Sequence, residues 1–202
     1  MARFTITEHI DRQLWRGLEL SIAWKTPATL DIGVPENRDF LMFMLGRLLL
    51  EYQELHEQIM RHTEWTEEGV INSMDDILEE LYDMMQVAMG LSRALGVTPT
   101  FRELVAPGPI APIAIYGTPK SAALQVYLKP VMMFSDIVNR IKRTKGQWDR
   151  GTLEDMTLKA LSQMIYVTFH HPFTLAEVEE VSRAKHERIL LKLNLHNAYI
   201  PK

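Results

Sequence analysis

Residues 74–91 read MDDILEELYDMMQVAMGL, and their apolar side chains recur every three or four positions, as in an amphipathic helix. On a helical wheel of about 100° per residue, Val87, Leu91 and other apolar side chains form one arc. Glu80 falls inside this arc, roughly 60° from Asp83, and Asp83 lies on its edge. A carboxylate that faces an apolar core costs several kcal/mol unless a cation meets it. The two acids therefore predict a cation at this face of the helix.

A second acidic pair, Glu51 and Glu54, lies on the helix predicted from residues 38–62. Glu51 abuts the apolar stripe of that helix, and Glu54 lies just beyond it on the polar side. The spacing i, i+3 puts both carboxylates of a pair on one face, so two packed helices can bring all four together. Because the chain holds 26 Asp and Glu, pairs on a solvated face are the alternative. Two pairs on adjacent helices, one of them inside an apolar arc, favour a site.

Four negative charges in a small volume need cations, and the composition narrows the choice of metal. The chain has no cysteine and no Glu-x-x-His, so thiolate sites and di-iron carboxylate sites lack their ligands. Oxygen ligands alone suit a hard cation, Mg²⁺ or its substitute Mn²⁺. Because Mg²⁺ usually completes its shell with water and substrate phosphates, the acids predict a phosphorylated substrate, most simply a nucleotide.

These residues also carry a resemblance to a known family. The segment EYQEL at Glu51–Leu55, followed by EELYDMMQV at Glu79–Val87, is similar to the ExxE and ExxD helices of the all-α nucleoside triphosphate pyrophosphohydrolases, the superfamily of MazG-like proteins and dimeric dUTPases. The resemblance implies an all-α fold, a four-helix bundle of the MazG and dimeric dUTPase type. It also implies a hydrolase that cleaves an NTP or dNTP between the α- and β-phosphates, giving the monophosphate and pyrophosphate. The implied ligands of Mg²⁺, which serve catalysis, are Glu51, Glu54, Glu80 and Asp83.

The chain departs from the fuller MazG pattern in one respect. That pattern has another acid beside the first motif, and Leu50 and Gln53 stand where it would be sought; Glu57 is the nearest substitute. The alternative function is a non-catalytic binding module whose acids hold a structural cation or a basic partner. The resemblance also implies homodimers, because MazG-like units pair to complete their bundles. The alternative is that a tandem second half completes the bundle within one chain.

A triphosphate needs positive partners, and the last predicted helix offers them. Lys185, Arg188 and Lys192 recur at i, i+3 and i+7 along one stripe, and the surrounding segment is similar to the basic late helix that contacts phosphates in this superfamily. The run 139–145 is a second basic segment. A solvated helix face with Glu partners is the alternative for both segments.

Tryptophan side chains are the candidates for stacking on a nucleobase. Trp65, just after the first acidic helix, is the first candidate, ahead of Trp24 and Trp15. A tryptophan at helical spacing also packs in cores, so core packing is the alternative for all three.

The breaker-rich connector 106–119 divides the chain into halves, 1–105 and 120–202. The second half can be aligned with the first as a faint repeat without its acids, with Gln163 where the first half has Asp83. The alternative is that any two amphipathic helices align as well. The chain is therefore one pyrophosphohydrolase-like domain, 1–202, or a tandem of a metal-binding half and a degenerate half. The six predicted helices span residues 7–24, 38–62, 73–95, 121–144, 152–170 and 174–195.

Composition indicates a cytoplasmic protein. The net charge of −4 argues against binding to nucleic acid or to an anionic membrane. The absence of cysteine suits a reducing compartment. The N-terminus lacks the apolar core of a signal peptide, and no run of about 18 apolar residues could span a bilayer.

Overall fold

The computed structural model describes residues 6–61, 65–66, 69–70, 74–98, 104, 120–167 and 175–199. Within these residues the chain forms six helices and a hairpin of two very short antiparallel strands, so the all-α prediction is confirmed. The helices are α1 Ile6–Ala23, α2 Pro35–Arg61, α3 Met74–Ala94, α4 Lys120–Arg143, α5 Arg150–Val167 and α6 Leu175–Tyr199. The strands are β1 Trp65–Thr66 and β2 Gly69–Val70. The connector 106–119 lies outside the described residues.

Local chemistry accounts for several helix ends. Pro35 begins α2 earlier than the predicted start, because its fixed φ and missing N–H suit the first helical position. Gly96 ends α3 in the left-handed conformation with φ +79°, where other residues are strained. Its N–H donates to the carbonyl of Arg93 at 2.8 Å, and the N–H of Val97 donates to that of Ser92 at 2.9 Å. The predicted stop at Gly96 is therefore confirmed.

α3 is the centre of the bundle and packs against α1, α2, α5 and α6. Its buried Met84 joins Leu48 and Leu55 of α2, Phe134 of α4 and Leu161 of α5 in one contiguous apolar core. Helices from both sides of the connector thus share this core. The faint repeat of the first half in the second stays a prediction.

α2 and α3 run antiparallel, and this pairing positions the acids. Met44 lies against Gly90 at one end of the contact, and Glu51 faces Asp83 further along. α6 packs against α1 and α3, which brings the last described helix to the same region.

The outer faces of the helices are largely polar. Ion pairs at i, i+4 lie along them, including Arg183 with Glu187 at 3.2 Å and Lys159 with Asp155 at 2.6 Å. In the part of the chain that the structure describes, no helix is both long enough and apolar enough to cross a membrane.

Candidate metal centre

Three carboxylates from two helices meet where α2 faces α3. Glu51 and Glu54 of α2 and Glu80 of α3 each offer one carboxylate oxygen, and the three oxygens lie within 4.8 Å of one another. The i, i+3 spacing puts the two α2 acids on one side of that helix, as the sequence predicts. We call Glu51, Glu54 and Glu80 the three-acid cluster.

Glu51 is the most buried member of the cluster, and 5% of its surface is exposed. Burial and the neighbouring charges of Asp83 and Glu54 raise its pKa to about 6, although Arg47 opposes the shift. Arg47 Nη2 donates to Glu51 Oε1 at 2.8 Å from the preceding turn of α2. Arg47 is not among the predicted site residues, although its position four residues before Glu51 is the sequence signal for such a pair.

Glu80 is half-buried, and burial together with Asp83 raises its pKa to about 7. Its Oε2 is buried and, among the described residues, has no hydrogen-bond partner. A buried carboxylate oxygen is rarely left unpartnered, because the desolvation cost is not recovered. An oxygen-only ligand set with such an orphaned acceptor fits a hard divalent cation.

Asp83, the fourth predicted acid, forms an ion pair with a lysine of α6. Lys185 Nζ lies 2.8 Å from Asp83 Oδ2 and 3.1 Å from Glu79 Oε2, and Arg188 pairs with the other oxygen of Glu79. Burial raises the pKa of Asp83, and the Lys185 ammonium opposes this shift. Burial disfavours the charged amine of Lys185, but its bonds to Asp83 and Glu79 raise its pKa above the ordinary value. The structure thus brings Lys185 and Arg188 to the acids.

The charges at this place do not balance. Five carboxylates lie together, the three-acid cluster with Glu79 and Asp83, and the cations that pair with them in the described residues are Arg47, Lys185 and Arg188. When all are ionised, the acids exceed the bases by two charges. One divalent cation carries the charge that neutralises this excess.

A buried polar network holds α6 in position. The hydroxyl of Tyr82 on α3 lies 2.8 Å from Nδ1 of His186. The carboxylate of Glu19 on α1 lies 2.7 Å from Nε2 of the same ring. Because a carboxylate only accepts, the arrangement fits the tautomer with its proton on Nε2. His186 follows Lys185 in the chain, so this network fixes the turn of α6 that reaches Asp83. The sequence gives no signal for it, since its members come from three helices far apart in the chain.

An aromatic cavity of about 310 Å³ is lined in part by Arg47, which also bonds Glu51. Trp24, Phe40 and Phe43 also line it, and the two phenylalanine rings lie 6.4 Å apart, centroid to centroid. The structure describes the backbone of Trp65 in β1 and not its side chain, so the stacking prediction for Trp65 is not decided. Trp15 lines a separate cavity.

Two other predicted basic groups lie apart from the acids. Lys192 is exposed, and in the described part of α6 no ion pair joins it to the four acids. Arg38 donates to the carbonyl of Lys145 at 3.2 Å, so the basic run 139–145 ends beside the start of α2. Glu51 lies about 20 Å further along α2, at 1.5 Å per residue. The run does not contribute to the candidate centre.

The raised pKa values of Glu51 and Glu80 predict how the metal-free protein responds to pH. The folded state binds these protons more tightly than the unfolded chain, so stability falls as the pH rises from about 4.5 through about 7. We expect the melting temperature in EDTA to be several degrees lower at about pH 8 than at about pH 5, and Mg²⁺ to restore it at the higher pH. Thermal denaturation across this range, with and without Mg²⁺, is the measurement. A melting temperature in EDTA that does not change would contradict the burial of these charges.

No protein-family model, curated protein or solved structure matches this chain. The functional assignment therefore depends on the residues and on their geometry.

Proposed function

We propose that this protein is a Mg²⁺-dependent nucleoside triphosphate pyrophosphohydrolase, which cleaves an NTP or dNTP to the monophosphate and pyrophosphate. The observation that supports this most is the three-acid cluster, whose carboxylate oxygens lie within 4.8 Å of one another and include the orphaned Oε2 of Glu80. A solvated acidic face would not bury carboxylates and raise their pKa values.

The three-acid cluster would hold the cation, with Mn²⁺ as a substitute for Mg²⁺. A bound Mg²⁺ supplies Lewis-acid chemistry, polarising the phosphoryl group that water attacks. A carboxylate of the Glu51 and Glu54 pair would accept a proton from the attacking water, and Glu54 is exposed to solvent.

The basic groups of α6 suit the leaving group. Arg188 is half-exposed beside Glu79, and Lys185 lies at the edge of the three-acid cluster. Fixed positive charges at this position would stabilise the negative charge that grows on the departing pyrophosphate. Lys192, two turns beyond Lys185 on the same helix, would reach only the outer part of a bound triphosphate.

The aromatic cavity supports a nucleotide as the substrate. Its rings offer stacking surfaces to a base, and Arg47 forms part of its wall while bonding Glu51. A base in the cavity would therefore place its phosphates toward the acids. The volume of about 310 Å³ lies within the range of small-molecule sites.

The proposal extends to a cytoplasmic homodimer. The outer face of α2 exposes Leu49 and Leu50, at 42% and 40%. Exposed apolar side chains in one place often mark a protein interface, and a second copy would cover these. A monomer in sedimentation equilibrium would contradict this part of the proposal.

The test of the function is product analysis. The pure protein is incubated with the common NTPs and dNTPs in Mg²⁺ or in EDTA, and nucleotide products and pyrophosphate are resolved. We expect at least one nucleotide to give its monophosphate and pyrophosphate in Mg²⁺ and to stay intact in EDTA. Turnover that continues in EDTA, or that releases inorganic phosphate instead of pyrophosphate, would contradict the proposal. No turnover, with a melting temperature that rises in Mg²⁺, would favour a module that holds a structural cation.

A further inference from the structure

We propose that Lys185 is a built-in competitor of the metal for Asp83. In the structure its ammonium pairs with Asp83, and it must leave before that carboxylate can join the three-acid cluster around a cation. The inference rests on the proposed metal site and concerns how that site is filled.

The contacts of Lys185 carry the argument. Its Nζ lies 2.8 Å from Asp83 Oδ2 and 3.1 Å from Glu79 Oε2, and 18% of its side chain is exposed. A cation that is bound to Asp83 would face this ammonium across a single carboxylate. Like charges at such a separation repel strongly where solvent is partly excluded. The ammonium and a divalent cation are therefore alternative partners of Asp83.

The other two cations of the site are not placed to compete for Asp83. Arg188 pairs with Glu79, which is not a member of the three-acid cluster. The side chain of Arg188 is 54% exposed. Arg47 pairs with Glu51 from the preceding turn of the same helix. Among the cations that the structure describes at this site, Lys185 alone bridges two carboxylates, and one of them is Asp83, the acid that the cluster lacks.

The exchange has a consequence for substrate binding. A metal that binds alone must break the pair of Lys185 with Asp83 and leave the ammonium with Glu79 only. An anionic phosphate would give the released ammonium a new partner and recover that loss. Metal and phosphate should therefore favour each other's binding, as linkage requires when one event removes the cost of the other.

The experiment measures the affinity of Mn²⁺ alone, by isothermal calorimetry, so that catalysis is not the readout. We expect Lys185→Met and Lys185→Gln to bind Mn²⁺ roughly tenfold more tightly than the natural chain. Lys192→Met, a neutralisation on the same helix away from the acids, should change the affinity less than twofold, within roughly 0.4 kcal/mol. Affinity that is unchanged or weaker in both Lys185 variants would overturn the proposal.

A double-mutant cycle separates direct competition from a general effect of charge. In the Asp83→Asn background, the change Lys185→Met should leave the Mn²⁺ affinity almost unchanged, because the contested carboxylate is gone. If the tenfold gain persists in that background, Lys185 acts only through its charge, and the competition is refuted. Equal binding of Mn²⁺ by all these proteins would overturn the role of Lys185 and leave the metal site standing. Binding by none of them would overturn both.

Discussion

Glu80→Gln should lower the rate of pyrophosphate release at saturating Mg²⁺ by roughly a hundred- to a thousand-fold, the range found when one preorganised charge is lost from an active site. The amide keeps the shape of the side chain and removes the anion that would bind the cation. The same change should stabilise the metal-free protein at about pH 8, because it removes a half-buried charge that Asp83 and the other acids repel. Activity and stability are therefore expected to move in opposite directions.

Glu57→Gln is the matched control for this prediction. Glu57 lies on α2, one turn beyond Glu54, and its exposed carboxylate pairs with Arg61 at 3.3 Å. It is not a member of the three-acid cluster, so it does not supply the further acid sought beside the first motif. The control should keep the natural rate within about twofold and change stability by less than about 0.5 kcal/mol. Comparable losses of activity in Glu80→Gln and Glu57→Gln would show that the rate depends on the overall negative charge of the protein and not on the three-acid cluster. A metal-free Glu80→Gln protein that melts below the natural chain would refute the predicted repulsion.

Glu179→Ala should destabilise the protein by about 3 kcal/mol, the lower end of the range for breaking a buried ion pair. Glu179 is buried on α6, where it bonds Arg16 and contacts His9 at 3.0 Å and Arg12 at 3.3 Å. Its removal leaves the guanidinium of Arg16, which is also buried, without its carboxylate partner. Arg12, another partner of Glu179, is half-exposed, so water reaches one side of this group of charges. The solvent limits the free-energy cost of the substitution. The melting temperature should fall by roughly 6 to 12 °C.

Glu187→Ala is the control on the same helix, because Glu187 pairs with Arg183 at 3.2 Å and both side chains are more than half exposed. It should lower the free energy of unfolding by less than about 0.5 kcal/mol.

The stability of the protein at acid pH gives a second check on Glu179. Burial opposes the shift, but His9 and Arg16 lower the pKa of Glu179 to about 2, so its contribution is lost as the pH falls from about 4.5 toward 2. A Glu179→Ala deficit that does not narrow toward pH 2, or a cost no larger than in Glu187→Ala, would refute this account.

The helices and much of the acidic site follow from hydrophobic periodicity. The pattern of α2 predicts that Glu51 abuts the core and that Glu54 does not, and the structure buries Glu51 and exposes Glu54. For α3 the wheel is less accurate. It puts Glu80 inside the apolar arc, yet Glu80 is half-buried. Its carboxylate meets those of Glu51 and Glu54 from α2, and Lys185 of α6 pairs with the nearby Asp83.

The remaining parts of the site depend on which helices touch, and periodicity does not report that. Lys185 and Arg188 could equally have faced solvent, and their position follows from the packing of α6 against α1 and α3. The basic run 139–145 has a denser charge but lies at the far end of α2, since α4 packs with its last turn beside Arg38. The polar networks around His186 and Glu179 could not be predicted from the sequence, because each joins residues more than 100 positions apart.

The position of α6 in the chain gives the site an order of assembly during synthesis. The acids of α2 and α3 leave the ribosome well before α6, and of the three cations that pair with them in the described structure only Arg47 emerges in the same stretch. Until α6 docks, protons and dissolved cations are the counterions available to the other carboxylates. A nascent chain would therefore carry an open acidic surface until α6 has emerged and docked.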